Sequence, residues 1–234
     1  MNLHKLILIN NACYKAGRTI TPKGIMVHST GVNNPNLKRF VGPNDGLLGK
    51  NQNNNHWNQD KPDGRQVCVH GFIGRLADGS IATYQTLPWN HRGWHAGGAA
   101  NDTHIGFEIC EDGLTDTAYF NAVYKEAVEL CVYLCKQNGL TEKNIICHSE
   151  GYKRDIASNH GDVMHWFPKH GKSMDTFRFD VRSRLASAAP VEPTAPKKFY
   201  RVQLGAFSTK ENADALLRKV KAAGFTDAYI KYSE

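Results

Sequence analysis

Between Thr117 and Asn138, apolar residues return at Phe120, Val123, Ala127, Leu130, Cys131 and Leu134. Steps of three and four residues set these on one side of an α-helix, and the Gly139 that follows is a stop signal. The same spacing at Met174, Phe177, Val181 and Leu185 predicts a second helix over 173–185. Shorter apolar runs read differently. "KGIMVHST" is a buried strand running into a loop at Ser29, "THIGFEICED" is another strand, and "KNIICHSEG" is a strand ending at His148. "RQVCVHGFIGRLADGSIATYQTL" reads as a hairpin turning at Asp78–Gly79. Strands and helices sharing one core imply an α/β domain, a mixed central sheet flanked by helices. Chemistry is expected where strand ends meet loops.

The pattern breaks once. "ASAAPVEPTAP", Ala186–Pro196, holds three prolines, four alanines and one charge, too little apolar surface to build a core. It reads as a semi-rigid linker between a main domain, 1–185, and a small unit, 197–234. In that unit, a strand precedes a helix capped by Ser208 with a stripe at Ala213, Leu216, Leu217 and Val220. Gly224 and a second strand follow, which makes a βαβ unit.

Composition narrows the partners. The chain has 234 residues, 41% of them hydrophobic, enough for one sizeable core plus a small appendage. Its net charge of +7 suits an anionic polymer, whether nucleic acid, membrane surface or cell wall, and also suits ordinary solubility. No basic stripe interleaves with aromatics, so nucleic acid is not the expected partner. The apolar run Leu6–Ile9 is too short for a signal peptide's core, and no stretch is long enough for stable membrane insertion. The six cysteines lie in apolar surroundings without zinc-finger spacing, so all six are expected to be reduced core residues of a protein made in the cytoplasm.

The eleven histidines raise the prospect of a metal or acid–base site. His28 and His148 each follow a buried strand and precede a serine, so two strands ending at one sheet edge could bring them together. A catalytic zinc site wants a third protein ligand and an open position. The stretch "NHGDVMHWF" offers His160, Asp162 and His165, and spacing alone does not choose among them. Glu108 stands in the apolar strand "IGFEIC", where a carboxylate needs either a partner or a function. His56, Trp57, Trp94 and His95 occupy polar, Gly-rich segments and are candidates for a carbohydrate groove or for the rim of a core.

Taken in order, "GIMVHST", "VHGFIGRLADGSI", "WHAGG", "NDTHIGFEI", "IICHSEG" and "HGD" resemble the zinc-dependent N-acetylmuramoyl-L-alanine amidase type 2 family, which includes phage endolysins and peptidoglycan recognition proteins. The resemblance implies Zn²⁺ held by His28, His148 and Asp162. It implies Glu108 as general base and His160 at a position, often lysine in the family, that helps stabilise the oxyanion. Candidate contacts to the substrate are His70, Trp94, His95 and Asn101. Val69 stands where one branch of the family has tyrosine, which brings the pattern closer to the glutamate branch. Val163 replaces a frequent proline, and His165 has no counterpart, so it is read as packing or rim.

"YRVQLGAFSTKENA" resembles the sporulation-related (SPOR) repeat, which binds glycan strands stripped of stem peptides. That repeat normally holds two βαβ halves, so pairing of two tails into a homodimer is expected. The resulting expectation is a zinc amidase cutting between N-acetylmuramic acid and L-alanine of peptidoglycan, glycan strand and stem peptide both being bound. It would be a phage or prophage endolysin released from the cytoplasm to the wall. A wall-binding module without activity, and a host autolysin or recycling amidase, are the alternatives.

Overall fold

The computed structural model of the chain describes residues 1–187, 204–225 and 228–230. Contacts divide it into two units, Met1–Ala189 and Pro190–Glu234. The first carries six strands: β1 (Leu3–Lys5), β2 (Gly24–Asn33), β3 (Gly71–Arg75), β4 (Ile81–Gln85), β5 (His104–Glu111) and β6 (Ile145–Cys147). They form one sheet in the order β1-β4-β3-β5-β2-β6. Only the β3–β4 hairpin is antiparallel; every other pairing is parallel. This is the mixed sheet expected.

Its helices are α1 (Ala12–Ala16), α2 (Thr117–Asn138), α3 (His148–Lys153) and α4 (Met174–Ser187). The side chain of Asp116 accepts from the N–H groups of Ala118 and Tyr119 and so satisfies two of the unpaired donors at the start of α2. Gly139 closes the helix at φ 64°, donating to the Cys135 carbonyl. The apolar stripe of α2 packs with Phe177 and Val181 of α4 on Ile25, Val27, Ile105, Phe107, Ile109 and Ile73. Period-two alternation in the strands sends the intervening side chains to the opposite face. There Phe72, Cys110, Ala82 and Tyr84 form a second core with Phe40, Val41 and Trp57 from the long β2–β3 connection.

Two features depart from the sequence reading. Cys13 and Cys68 form a disulfide, joining α1 to the segment before β3, whereas Cys110, Cys131, Cys135 and Cys147 are free and buried. The reading of all six as reduced is therefore corrected: the four that lie on the sheet and its covering helix pack as small hydrophobes, while the other two bring the short helix α1 against the segment before β3. In addition, β6 stops at Cys147, and His148 opens a helix instead of ending a strand.

In the second unit, α5 spans Lys210–Ala222. Its N-cap is Thr209, without a side-chain cap bond, in place of the expected Ser208. The first expected strand falls largely outside the described residues, and Leu204–Phe207 form no strand. Among the described residues, no helix is long and apolar enough to cross a membrane.

Candidate metal centre

Parallel pairing brings the first two candidate ligands together. Val27 on β2 is in register with Cys147 on β6, so the next residue of each chain, His28 and His148, emerges at the same sheet edge. Asp162 arrives from a short 3-10 turn, Asp162–His165, with φ 41°. That left-handed conformation costs a non-glycine residue on the order of 1 kcal/mol and persists where surroundings enforce it. His165 supplies one restraint, its Nε2 lying 3.0 Å from Glu111 Oε1 at the end of β5. The same oxygen accepts the Gly31 N–H at 3.1 Å, which joins this turn to the end of β2 as well.

Three atoms converge. His28 Nδ1 lies 3.1 Å from Asp162 Oδ2, His148 Nδ1 lies 3.0 Å from the same oxygen, and the two nitrogens are 3.2 Å apart. A tetrahedral zinc ion with bonds of about 2.0–2.1 Å separates neighbouring ligand atoms by roughly 3.3 Å. The triangle therefore has the size and the donor types, two imidazole nitrogens and one carboxylate oxygen, that such an ion requires. Burial lowers the pKa of His28 from its ordinary value and favours the neutral, ligating ring. Burial opposes the Asp162 carboxylate, yet its contacts with His148 and His28 outweigh that and hold it below the usual carboxylate range.

The triad opens into a cavity of about 480 Å³ lined by, among others, Glu108, Trp57, Arg65, Trp94 and His160. Glu108 is the register partner of His28 on one side and of Phe72 on the other, so the three form one row across the sheet. Its Oε2 is buried without a hydrogen-bond partner. Burial, then the negative Asp162 and Glu111, raise its pKa well above the ordinary value. His160 packs its ring against His148 with centroids 4.8 Å apart and stays exposed to the cavity. Trp94 is 45% exposed at the rim, with the Arg92 guanidinium 5.2 Å above its ring.

Other candidates go elsewhere. His70 is fully buried: its Nδ1 accepts the Gly106 N–H at 3.0 Å and its Nε2 donates to the His91 carbonyl at 2.8 Å. Both ring nitrogens are spent on backbone, one on β5 and one on the segment after β4. Asn101 is likewise buried, its Oδ1 accepting from the backbone of His95 and Ala96. His95 reaches the cavity but spends its ring on His28 and on the His104 carbonyl. His56 is buried with its ring against Gly42. Ser158, which accepts from His148, and Glu111 are site residues that no local pattern in the sequence marks.

Comparison with known proteins gives the family and the fold. The model of the Amidase_2 family, N-acetylmuramoyl-L-alanine amidase, matches residues 18–164, more than half of the chain. The chain belongs to this amidase family. The SPOR domain model matches residues 196–234. Among solved structures, PlyL aligns at 18% identity over 78% of this chain and 96% of its own, with a TM-score of 0.53. The catalytic domain of XlyA aligns at 22% identity over 77% and 99%, TM-score 0.52. The Staphylococcus aureus hydrolase AmiA, solved with its ligand, aligns at 18% identity over 80% and 83%, TM-score 0.55. At such identities these likenesses speak for the fold of the amidase domain. No curated protein matches the chain. The family and the SPOR unit together mark a peptidoglycan amidase with a wall-binding appendage.

Proposed function

We propose that the chain is a zinc-dependent hydrolase of the amide between N-acetylmuramic acid and L-alanine. The observation that carries this reading is the triangle of His28 Nδ1, His148 Nδ1 and Asp162 Oδ2 opening onto an unpartnered Glu108 oxygen. A zinc ion held there supplies Lewis-acid polarisation of the carbonyl and makes water acidic enough to act as nucleophile near neutral pH.

The remaining steps fall to the protein's own groups. Glu108 Oε2, with no competing donor, takes a proton from the attacking water and passes it to the leaving amine of L-alanine. His160, beside His148 and open to the cavity, is positioned to donate an N–H to the developing oxyanion. Trp94 at the rim offers an indole face to the sugar or to the apolar side of the stem peptide.

Glu108→Ala is expected to lower turnover on purified peptidoglycan by roughly 10²–10⁴-fold while zinc stays bound. Near-normal turnover in that variant would falsify the assignment of the base. We also propose that the enzyme acts as an endolysin and that its SPOR-like unit holds glycan and pairs with a second copy. Leu204, Phe207 and Phe225 beside α5 are exposed and would be covered in such a pair.

A further inference from the structure

Each imidazole of the triad has a second nitrogen: that of His28 meets His95 in the segment Trp94–Gly98, and that of His148 reaches the same segment through Ser158. His95 Nε2 lies 3.2 Å from the His104 carbonyl oxygen, which can only accept, so His95 carries its proton there. Its Nδ1 is then a lone pair, 3.0 Å from His28 Nε2, and His28 must donate to it. A ligating imidazole is neutral and has one proton, and that contact claims it. The lone pair of His28 is thereby left on Nδ1, facing Asp162 and His148.

The second arm repeats the logic. Ser158 Oγ lies 3.3 Å from the Ala96 carbonyl and 3.2 Å from His148 Nε2. With its one proton given to the carbonyl, the hydroxyl accepts from His148 and leaves the lone pair of that ring on Nδ1 as well. Asn101 holds the segment itself, accepting from His95 N–H at 2.8 Å and Ala96 N–H at 2.9 Å. Two glycines make the room: a Cβ at Gly106 would come 2.4 Å from His95 Nδ1, and one at Gly97 would come 2.5 Å from Ser158 Oγ.

We propose that His95 and Ser158 are positioning residues that fix the tautomers of His28 and His148, so that both rings present Nδ1 to the ion before it arrives. This rests on the zinc reading above, and it assigns His95 and Asn101 to the support of the ligands instead of to the substrate. Partners of this kind, when removed, weaken metal affinity by about 10–100-fold.

The test is zinc affinity of the full chain by chelator competition, with the visible spectrum of the Co²⁺-loaded protein and the melting temperature of the metal-free protein alongside. His95→Leu, which lacks an acceptor, is expected to lose 10–100-fold in zinc affinity and to alter the Co²⁺ spectrum. His95→Asn, whose amide oxygen sits near the Nδ1 position, is expected to recover most of the loss. Ser158→Ala should weaken zinc and Ser158→Thr should not, and this pair serves if His95→Leu fails to fold. If the His95→Leu or Ser158→Ala variant melts lower yet binds zinc within twofold of the parent, the inference is overturned and the contacts are structural. A parent chain that binds no zinc overturns the metal reading itself, a distinct result.

Discussion

At the scale of single residues, the site depends on donors that are brought together before any ion is considered. Asp162 pays for its left-handed backbone and is the one proposed ligand that does not come from the sheet edge. Asp162→Ala should fold but fail to retain zinc through dialysis, since two histidines alone leave the set incomplete. Unchanged zinc content in that variant contradicts the ligand assignment. The neighbours His160 and His165, indistinguishable by spacing, are separated by their contacts. Both line the cavity, but His160 packs its ring against His148, whereas His165 pairs with Glu111, 54 positions away in the chain. No local pattern signals a partner at that distance, which is why His165 read only as packing or rim.

At the scale of elements, local signals carried the long helix and the hairpin. Helix α2 has its cap, its stripe and its glycine stop within one contiguous stretch, so its limits were readable. Strand β1 and helix α1 were not. Three residues of β1 exist as a strand only through parallel pairing with β4, and α1 is held by a disulfide to Cys68, 55 positions on. Cysteine spacing does not encode such connectivity.

His70, a histidine in a recognisable motif, is fully buried and bonds the backbone at Gly106 on β5 and at His91. Its burial lowers its pKa to about 4, against about 6.5 in an unfolded chain. Between those values the unfolded state binds more protons, so the contribution is complete above about pH 6.5 and is lost as pH falls towards 4. The loss from this one group at pH 5 is about 2 kcal/mol. Urea midpoints of the metal-free protein at pH 7 and pH 5 should differ accordingly, and His70→Gln should narrow the gap. A parent protein equally stable at both values contradicts the assignment.

For the whole molecule, the order of matched segments was legible, and it led to the amidase and SPOR families. What was not legible is what covers the apolar stripe of α5, because an amphipathic helix does not name its partner. If two units pair, light scattering at micromolar concentration should give twice the chain mass, and the chain cut after Ser187 should scatter as a single truncated chain. A monomer in both cases ends the dimer proposal without touching the chemistry.

That chemistry is tested most directly by mass spectrometry of peptidoglycan digested with the zinc-loaded chain. The account predicts stem peptides released with free L-alanine amino termini, alongside glycan strands bearing intact lactyl groups, and neither product with Glu108→Ala. Cleavage within the glycan or between stem residues, or no new amino terminus at all, would contradict it.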